Sequence, residues 1–299
     1  MQVYNKYTTG SAQAHYRFYD FDKFKNNNNF LFIDSPQVFT DIPKEIFNQK
    51  IVYLELEEPN RFFVNVDWFH HFEYDKFFSK IFSICPFTTK WFKEMHNIER
   101  THVFIPIAHK EQNFNKIYDI MYAGHIYPGD IENDVSIIKD FNYRIVSNTD
   151  HLLVTNKSAS HEDKLKLISE SKISLIHNLL YPTKDHIDFI KTIPFYEKNE
   201  AFSLLDKGIV PQIKGRVFES ALCKTLMLCQ KDPWNVIENY FKPNEDFIYY
   251  DKDNTKEQIQ DILNNYDNYL PIIENAYKKG LNYTTDSFYE KYLKDLNEI

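Results

Sequence analysis

Glycine is scarce in this 299-residue chain, with six in all, at positions 10, 124, 129, 208, 215 and 280. Each position is therefore informative, because a residue without a Cβ is kept where backbone must approach something closely or turn unusually. Cysteine is also scarce. The three residues Cys85, Cys223 and Cys229 are odd in number and lack metal-ligand spacing, which excludes a disulfide framework and predicts a reducing compartment. No apolar run approaches the roughly 20 residues of a membrane-spanning helix. The segment Met1–Lys6 lacks the apolar stretch of a secretory leader. The expectation is a soluble, cytoplasmic protein (host cytoplasm if the source is viral) with no membrane span. Positive charge is in deficit: 35 Lys and Arg against 43 Asp and Glu leave a net charge of −8. That balance makes broad nucleic-acid coating unlikely, since neutralising phosphates calls for a basic face.

What is present fits a folded, two-domain protein. Hydrophobic residues are 43% and charged residues 26%, close to a globular average, which rules out a disordered chain. Aromatic residues reach 17%, Lys heavily outnumbers Arg, and Asn is abundant, as in Asn26–Asn29. That excess of Phe, Tyr, Lys and Asn matches the codon usage of an AT-rich genome, such as that of a large virus, a phage or a small-genome bacterium.

Short apolar runs alternate with longer amphipathic ones, the pattern of a layered α/β fold. Strands are predicted at Phe30–Asp34, Ile51–Glu57, Lys80–Cys85 and His102–Ile107, with a helix over Thr88–His96. Their uniformly apolar character favours a parallel sheet covered on both faces. The polar stretch His109–Lys116 then predicts a linker, giving an N-terminal domain over 1–112 and a C-terminal domain over 113–299. In the second domain the pattern predicts strands at Ile117–Ala123, Tyr143–Ser147, Lys172–His177, Thr225–Cys229 and Phe247–Tyr250. Helices are expected at Asp130–Phe141, Ser160–Ser171, Arg216–Cys223, from Asp232-Pro233 onward, at Thr255–Tyr266 and, after Gly280, at Thr285–Leu296.

The richest segment chemically is Lys207–Cys223. There a glycine-containing loop with Lys214 and Arg216 runs into a helix N-terminus, whose N–H groups and positive dipole end suit phosphate. An Arg fork adds bidentate contacts to phosphate oxygens. Glu219, one turn inside, can accept hydrogen bonds from a ribose diol. The same residues also read as ordinary surface charges beside a helix start. His177 ends a strand at the edge where α/β folds place ligands. Two Asp-x-Asp pairs, Asp20/Asp22 and Asp251/Asp253, read as solvated turn acids. His70-His71 with Glu73 point to different sides and predict no metal centre. The aromatic cluster from Trp68 to Phe92 reads as core packing.

The ordered succession Arg216–Cys223, Thr225–Cys229 and Glu238–Tyr250, closed by Tyr283–Tyr289, resembles the C-terminal domain of GT-B glycosyltransferases. The likeness is greatest to the CgeB-like, "glycosyl transferases group 1" set, and it covers about Ile117–Leu296. The resemblance implies two Rossmann-like domains facing a cleft, with a small N-terminal acceptor lobe and a final helix crossing back toward it. It implies transfer of a sugar from a nucleotide-diphosphate sugar to the hydroxyl of a glycan or other acceptor, with no metal and no cofactor beyond the donor. It assigns Arg216 to the donor diphosphate with Lys214 assisting, Glu219 to the ribose, and Gly124 with His125 to the turn facing the donor. A catalytic base is expected from the N-terminal domain, with Glu58 and His15 as first candidates and Glu57 and Asp34 behind them. The sequence departs from the family pattern in three places. Lys224 and Asn244 stand where glycine is usual, and Met227 lies near the place of a second acid. These departures, with a first lobe shorter than usual, leave a rival reading: a non-catalytic nucleotide- or carbohydrate-binding relic. A third reading keeps the chemistry with modified DNA as acceptor, and the net charge disfavours it.

Overall fold

Uniformly apolar segments cannot expose either face, and in the computed structural model they form parallel strands. The structure describes residues 2–4, 20–24, 30–33, 50–60, 62, 77–110, 115–127, 129–250 and 252–296. Strands β1 (Gln2–Tyr4), β2 (Leu31–Ile33), β3 (Ile51–Glu55), β4 (Lys80–Ser83) and β5 (Thr101–His102) form one all-parallel sheet in that order. Every residue of β3 is buried. Helix α1 (Pro86–His96) starts two residues before the expected Thr88, because Pro86 suits a first helical position and the Cys85 Sγ accepts from Thr88 N–H. The expected strand His102–Ile107 is shorter: only Thr101 and His102 pair with β4, and Ile107 instead makes a lone bridge to Thr284.

The chain continues through β6 (Tyr118–Ala123), α2 (Asp130–Ile138), β7 (Tyr143–Val146), α3 (His161–Ser169), β8 (Ser171–Ile176), β9 (Leu179–Leu180), α4 (Lys184–Ile190) and β10 (Val210–Pro211). Then follow α5 (Gly215–Leu222), β11 (Leu226–Gln230), β12 (Ile248–Tyr250), α6 (Thr255–Asn264), α7 (Leu270–Gly280) and α8 (Thr285–Phe288). Packing divides the chain into two units: Met1–Pro106 with Leu179–Ile213 and Thr285–Ile299, and Ile107–Asn178 with Lys214–Thr284. The chain therefore passes between units four times: besides the passage near residue 112 and the expected return of the final helix, Leu179–Ile213 also belongs to the first unit. In the first unit Phe62, Trp91 and Phe92 share a core with Leu180, Ile190, Ile193, Phe202, Leu205 and Val210. The Trp91 indole N–H donates to the Phe195 carbonyl at 2.8 Å. Phe288 of α8 packs its ring against Phe21, Phe82 and Phe104.

The second unit holds a five-stranded parallel sheet in the order β12-β11-β8-β6-β7. Counted within the unit, the order is 2-1-3-4-5, and it reverses between β6 and β8. In open α/β sheets such a reversal leaves a crevice outside the carboxyl ends of the strands, where ligands bind. Two elements depart from expectation. Asp232-Pro233 opens no α-helix, because the Asp232 carboxylate accepts from Trp234 N–H at 2.9 Å and from Val236 N–H, turning the chain into a short 3-10 segment at Val236–Asn239. Helix α7 has no counterpart among the expected elements; Pro271 occupies its first turn. Among the described residues no helix is long and apolar enough to cross a membrane.

Gly280 is the last residue of α7, and a Cβ there would lie 3.2 Å from the Ala221 Cβ and 3.5 Å from Leu222 Cδ2. A bulky residue at this helix crossing overfills it. Gly280→Leu is expected to destabilise the protein by about 1–3 kcal/mol, read as a lower melting temperature or denaturation midpoint.

Candidate functional site

At the carboxyl end of β6 the backbone turns at Gly124, whose φ of +151° L-residues rarely adopt. A Cβ at this position would collide with the Arg216 guanidinium, which lies directly on the glycine. The same guanidinium sits 5.2 Å from the centroid of the Tyr122 ring, a cation–π contact. Arg216 is half-buried, and among the described residues it has no hydrogen-bond or ion-pair partner. Lys214 is the N-cap of α5, where no side chain caps the helix and no acid lies in the first turn. A Cβ on Gly215 would meet nothing within 4 Å, so space is open over this helix end. The structure thus brings Gly124, Lys214 and Arg216 together at the sheet reversal.

Glu219 lies one turn further along α5 and is buried. Its Oε1 accepts from Lys164 Nζ at 2.7 Å, with His161 Nδ1 3.8 Å away; the buried Oε2 has no hydrogen-bond partner among the described residues. Lys164 and His161 come from α3 and were not singled out from sequence. They lie more than 50 residues from Glu219, and no local spacing announces the pairing.

His125 follows Gly124 and is exposed, with Nδ1 3.0 Å from Thr149 Oγ1. His177 follows β8 and is buried behind the site rather than open to it. Its Nδ1 is 2.8 Å from Gln230 Oε1 and its Nε2 is 3.6 Å from Asp134 Oδ2, which also accepts from the Tyr250 hydroxyl at 2.6 Å. The His177 ring packs edge-on against Tyr122. His177 therefore supports the aromatic platform under Arg216.

In the first unit Glu58 is buried, ion-paired with the buried Arg100 and accepting from the Ser83 hydroxyl. The Arg100 guanidinium also stacks 3.5 Å from the Phe92 centroid. The structure thus directs Glu58 into the interior. Glu57 holds Asn60 at 3.3 Å. His15, Asp34, His70, His71, Glu73, Trp68 and Asp251 lie outside the described residues. Among the described residues no group of three or more His, Cys, Asp or Glu side chains could hold a metal ion. All three cysteines are buried and free. Burial pushes the thiols of Cys85 and Cys223 up to about 12, so neither is poised as a nucleophile.

A family model described as glycosyl transferase-like matches residues 135–294, more than half of the chain. No curated protein matches in sequence. Among solved structures, TarM is similar at 12% identity and a TM-score of 0.52, covering 94% of this chain and 57% of TarM. A variant of S. aureus TarM was solved with Fondaparinux, alpha-GlcNAc-glycerol and UDP. Anabaena Alr3699/HepE, in complex with UDP and glucose, is similar at 9% identity and a TM-score of 0.57, covering 91% of this chain and 78% of its own. An alpha-glucosyltransferase in complex with UDP-glucose and DNA containing an abasic site is similar at 12% identity and a TM-score of 0.54, covering 99% of this chain and 90% of its own. This chain thus spans little more than half the length of TarM. The likeness is one of fold: parallel α/β units of GT-B type.

Two outcomes follow from the geometry. Glu58→Ala would strand the buried Arg100 charge, and a stability loss of about 3–5 kcal/mol is expected in denaturant unfolding. Burial raises the Asp232 carboxyl to about 6, against the opposing pull of its backbone N–H partners. The folded state thus holds this proton more tightly than the unfolded chain. Its contribution to stability is full below about pH 4 and is lost as pH rises through 6, on the order of 3 kcal/mol. Asp232→Asn is expected to remove that slope from the pH profile of the unfolding free energy.

Proposed function

The chain belongs to the glycosyl transferase-like family, and on that premise we propose that it transfers a sugar from a nucleotide-diphosphate sugar to an acceptor hydroxyl without an essential metal ion. The observation that carries this reading is the Arg216 guanidinium, without a hydrogen-bond or ion-pair partner among the described residues, laid on Gly124 at the sheet reversal beside the uncapped N-terminus of α5. In this reading Arg216 grips the donor diphosphate and Lys214 adds charge. The free Oε2 of Glu219 accepts from the ribose hydroxyls while Lys164 holds its other oxygen. As the glycosidic bond to phosphate breaks, negative charge grows on the departing diphosphate. Preorganised donors that meet that charge lower the barrier. Gly124 is required because any side chain there would displace the guanidinium.

UDP or UDP-glucose accompanies the HepE, alpha-glucosyltransferase and TarM-variant structures, which makes uridine diphosphate sugars the first donors to test. The acceptor side is proposed as a glycan or another hydroxyl compound. A DNA arm belongs in the assay because an alpha-glucosyltransferase of matching length was solved with DNA, although a charge of −8 weighs against it. The commitment of Glu58 to Arg100 favours a second reading, nucleotide binding without turnover. A turnover assay separates the two, since sugar release from every activated donor would be absent in a relic.

Arg216→Ala is expected to weaken UDP binding about 10- to 100-fold in calorimetry while leaving the melting temperature of the free protein near wild type. Unchanged affinity would remove Arg216 from the site. Turnover is expected to persist in EDTA, and its loss with recovery on adding a divalent cation would overturn the metal-free reading.

A further inference from the structure

The turn after β6 is fixed by more hydrogen bonds than its backbone needs. Gly124 N–H donates to Val146 O at 2.9 Å, and the Tyr122 hydroxyl donates to His125 O at 2.8 Å. Thr149 Oγ1 accepts from Ile126 N–H at 2.9 Å and from the Ser147 hydroxyl at 3.0 Å. Ser147 Oγ accepts in turn from Thr149 N–H at 3.0 Å. A hydroxyl oxygen has two lone pairs and one proton. With the Ser147 hydroxyl as donor, both lone pairs of Thr149 Oγ1 are occupied, and its own proton is left for His125 Nδ1 at 3.0 Å.

We propose that Thr149 is a positioning residue that holds His125 in the tautomer with its proton on Nε2, so that His125 donates a hydrogen bond to a phosphate oxygen of the bound nucleotide diphosphate. The phosphate part rests on the donor-site reading above. An Nδ1 that accepts leaves the ring proton on Nε2. His125 is exposed, and its Nε2 has no partner among the described residues. The preceding residue, Gly124, carries the Arg216 guanidinium against its Cα. Two adjacent positions thus present a cationic fork and an imidazole N–H at the carboxyl edge of the sheet. Ile126 N–H and Ser147 set the tautomer through the Thr149 hydroxyl.

The relay is read directly by ¹⁵N–¹H correlation spectra of the His125 ring, with no ligand present. The wild type is expected to show the Nε2–H tautomer. Thr149→Val is expected to shift His125 toward Nδ1–H, and Thr149→Ser, which keeps the hydroxyl, to restore it. In calorimetry with UDP, Thr149→Val and His125→Ala are each expected to lose about tenfold in affinity, with Thr149→Ser near wild type. The double variant is expected to lose no more than His125→Ala alone, because both act through one hydrogen bond. A wild-type ring in the Nδ1–H form overturns the relay, even if Thr149→Val fails to fold. A correct tautomer with unaltered UDP affinity in His125→Ala, while Arg216→Ala loses binding, overturns the phosphate role and leaves the donor site standing. A wild type that binds no nucleotide overturns the donor-site reading and the phosphate role together.

Discussion

Two positive side chains sit at the positive end of helix α5, and the rest of the site is arranged around that unfavourable placement. Lys214 at the N-cap and Arg216 in the first turn both face the end of the helix dipole that disfavours cations, by a few tenths to about 1 kcal/mol each, and no acid in the first turn offsets them. Natural helices usually place Asp or Glu there. The guanidinium is held instead by the face of Tyr122 and by the bare Cα of Gly124. Among the described residues Arg216 has no ion-pair partner there, and in the proposed reading the donor diphosphate relieves the conflict with the dipole. Only glycine permits the approach, so one scarce residue determines whether the charge sits in the crevice or is pushed out of it.

Rigidity behind the guanidinium comes from a buried polar layer. His177 Nδ1 meets Gln230 at 2.8 Å, its Nε2 lies 3.6 Å from Asp134, Asp134 accepts from Tyr250 at 2.6 Å, and the His177 ring meets the edge of Tyr122. A network of this kind is stable only when its members keep their partners, because an unpaired buried polar group is expensive. It therefore fixes the ring on which Arg216 rests. Glu219 follows the same logic, since Lys164 orients one buried carboxylate oxygen while the second, also buried, has no hydrogen-bond partner among the described residues.

The strands were legible because burial on both faces leaves an apolar run that needs no partner to be recognised. The cationic loop before α5 was legible because its chemistry is contiguous. Lys224 and Asn244, standing where the family pattern carries glycine, do adopt left-handed backbone, with φ of 51° and 61°. The turn geometry persists although the residue that makes it easy does not. What stayed hidden depends on distant pairing. Glu58 follows a strand as a site residue would, yet Arg100, 42 positions away, takes it into the interior. His177 ends a strand at the ligand edge, yet Gln230 and Asp134 turn it inward. Residues 179–213 return to the first unit through contacts among Trp91, Phe202 and Leu205, a matter of side-chain packing with no local period.

The tension at α5 also bears on how the proposed reaction would be accelerated. An interaction of equal strength in substrate and transition state tightens binding without speeding the chemical step. A cationic wall whose own placement is unfavourable responds to the amount of negative charge set against it. The intact sugar diphosphate carries less charge on its sugar-linked phosphate than the diphosphate does once that bond has broken. Fixed donors on Arg216 and the helix N–H groups therefore gain more as the bond lengthens than they gain on binding. Their strain is relieved along the reaction coordinate, and the platform of Tyr122 and Gly124 ensures that relief comes from the growing charge rather than from movement of the arginine.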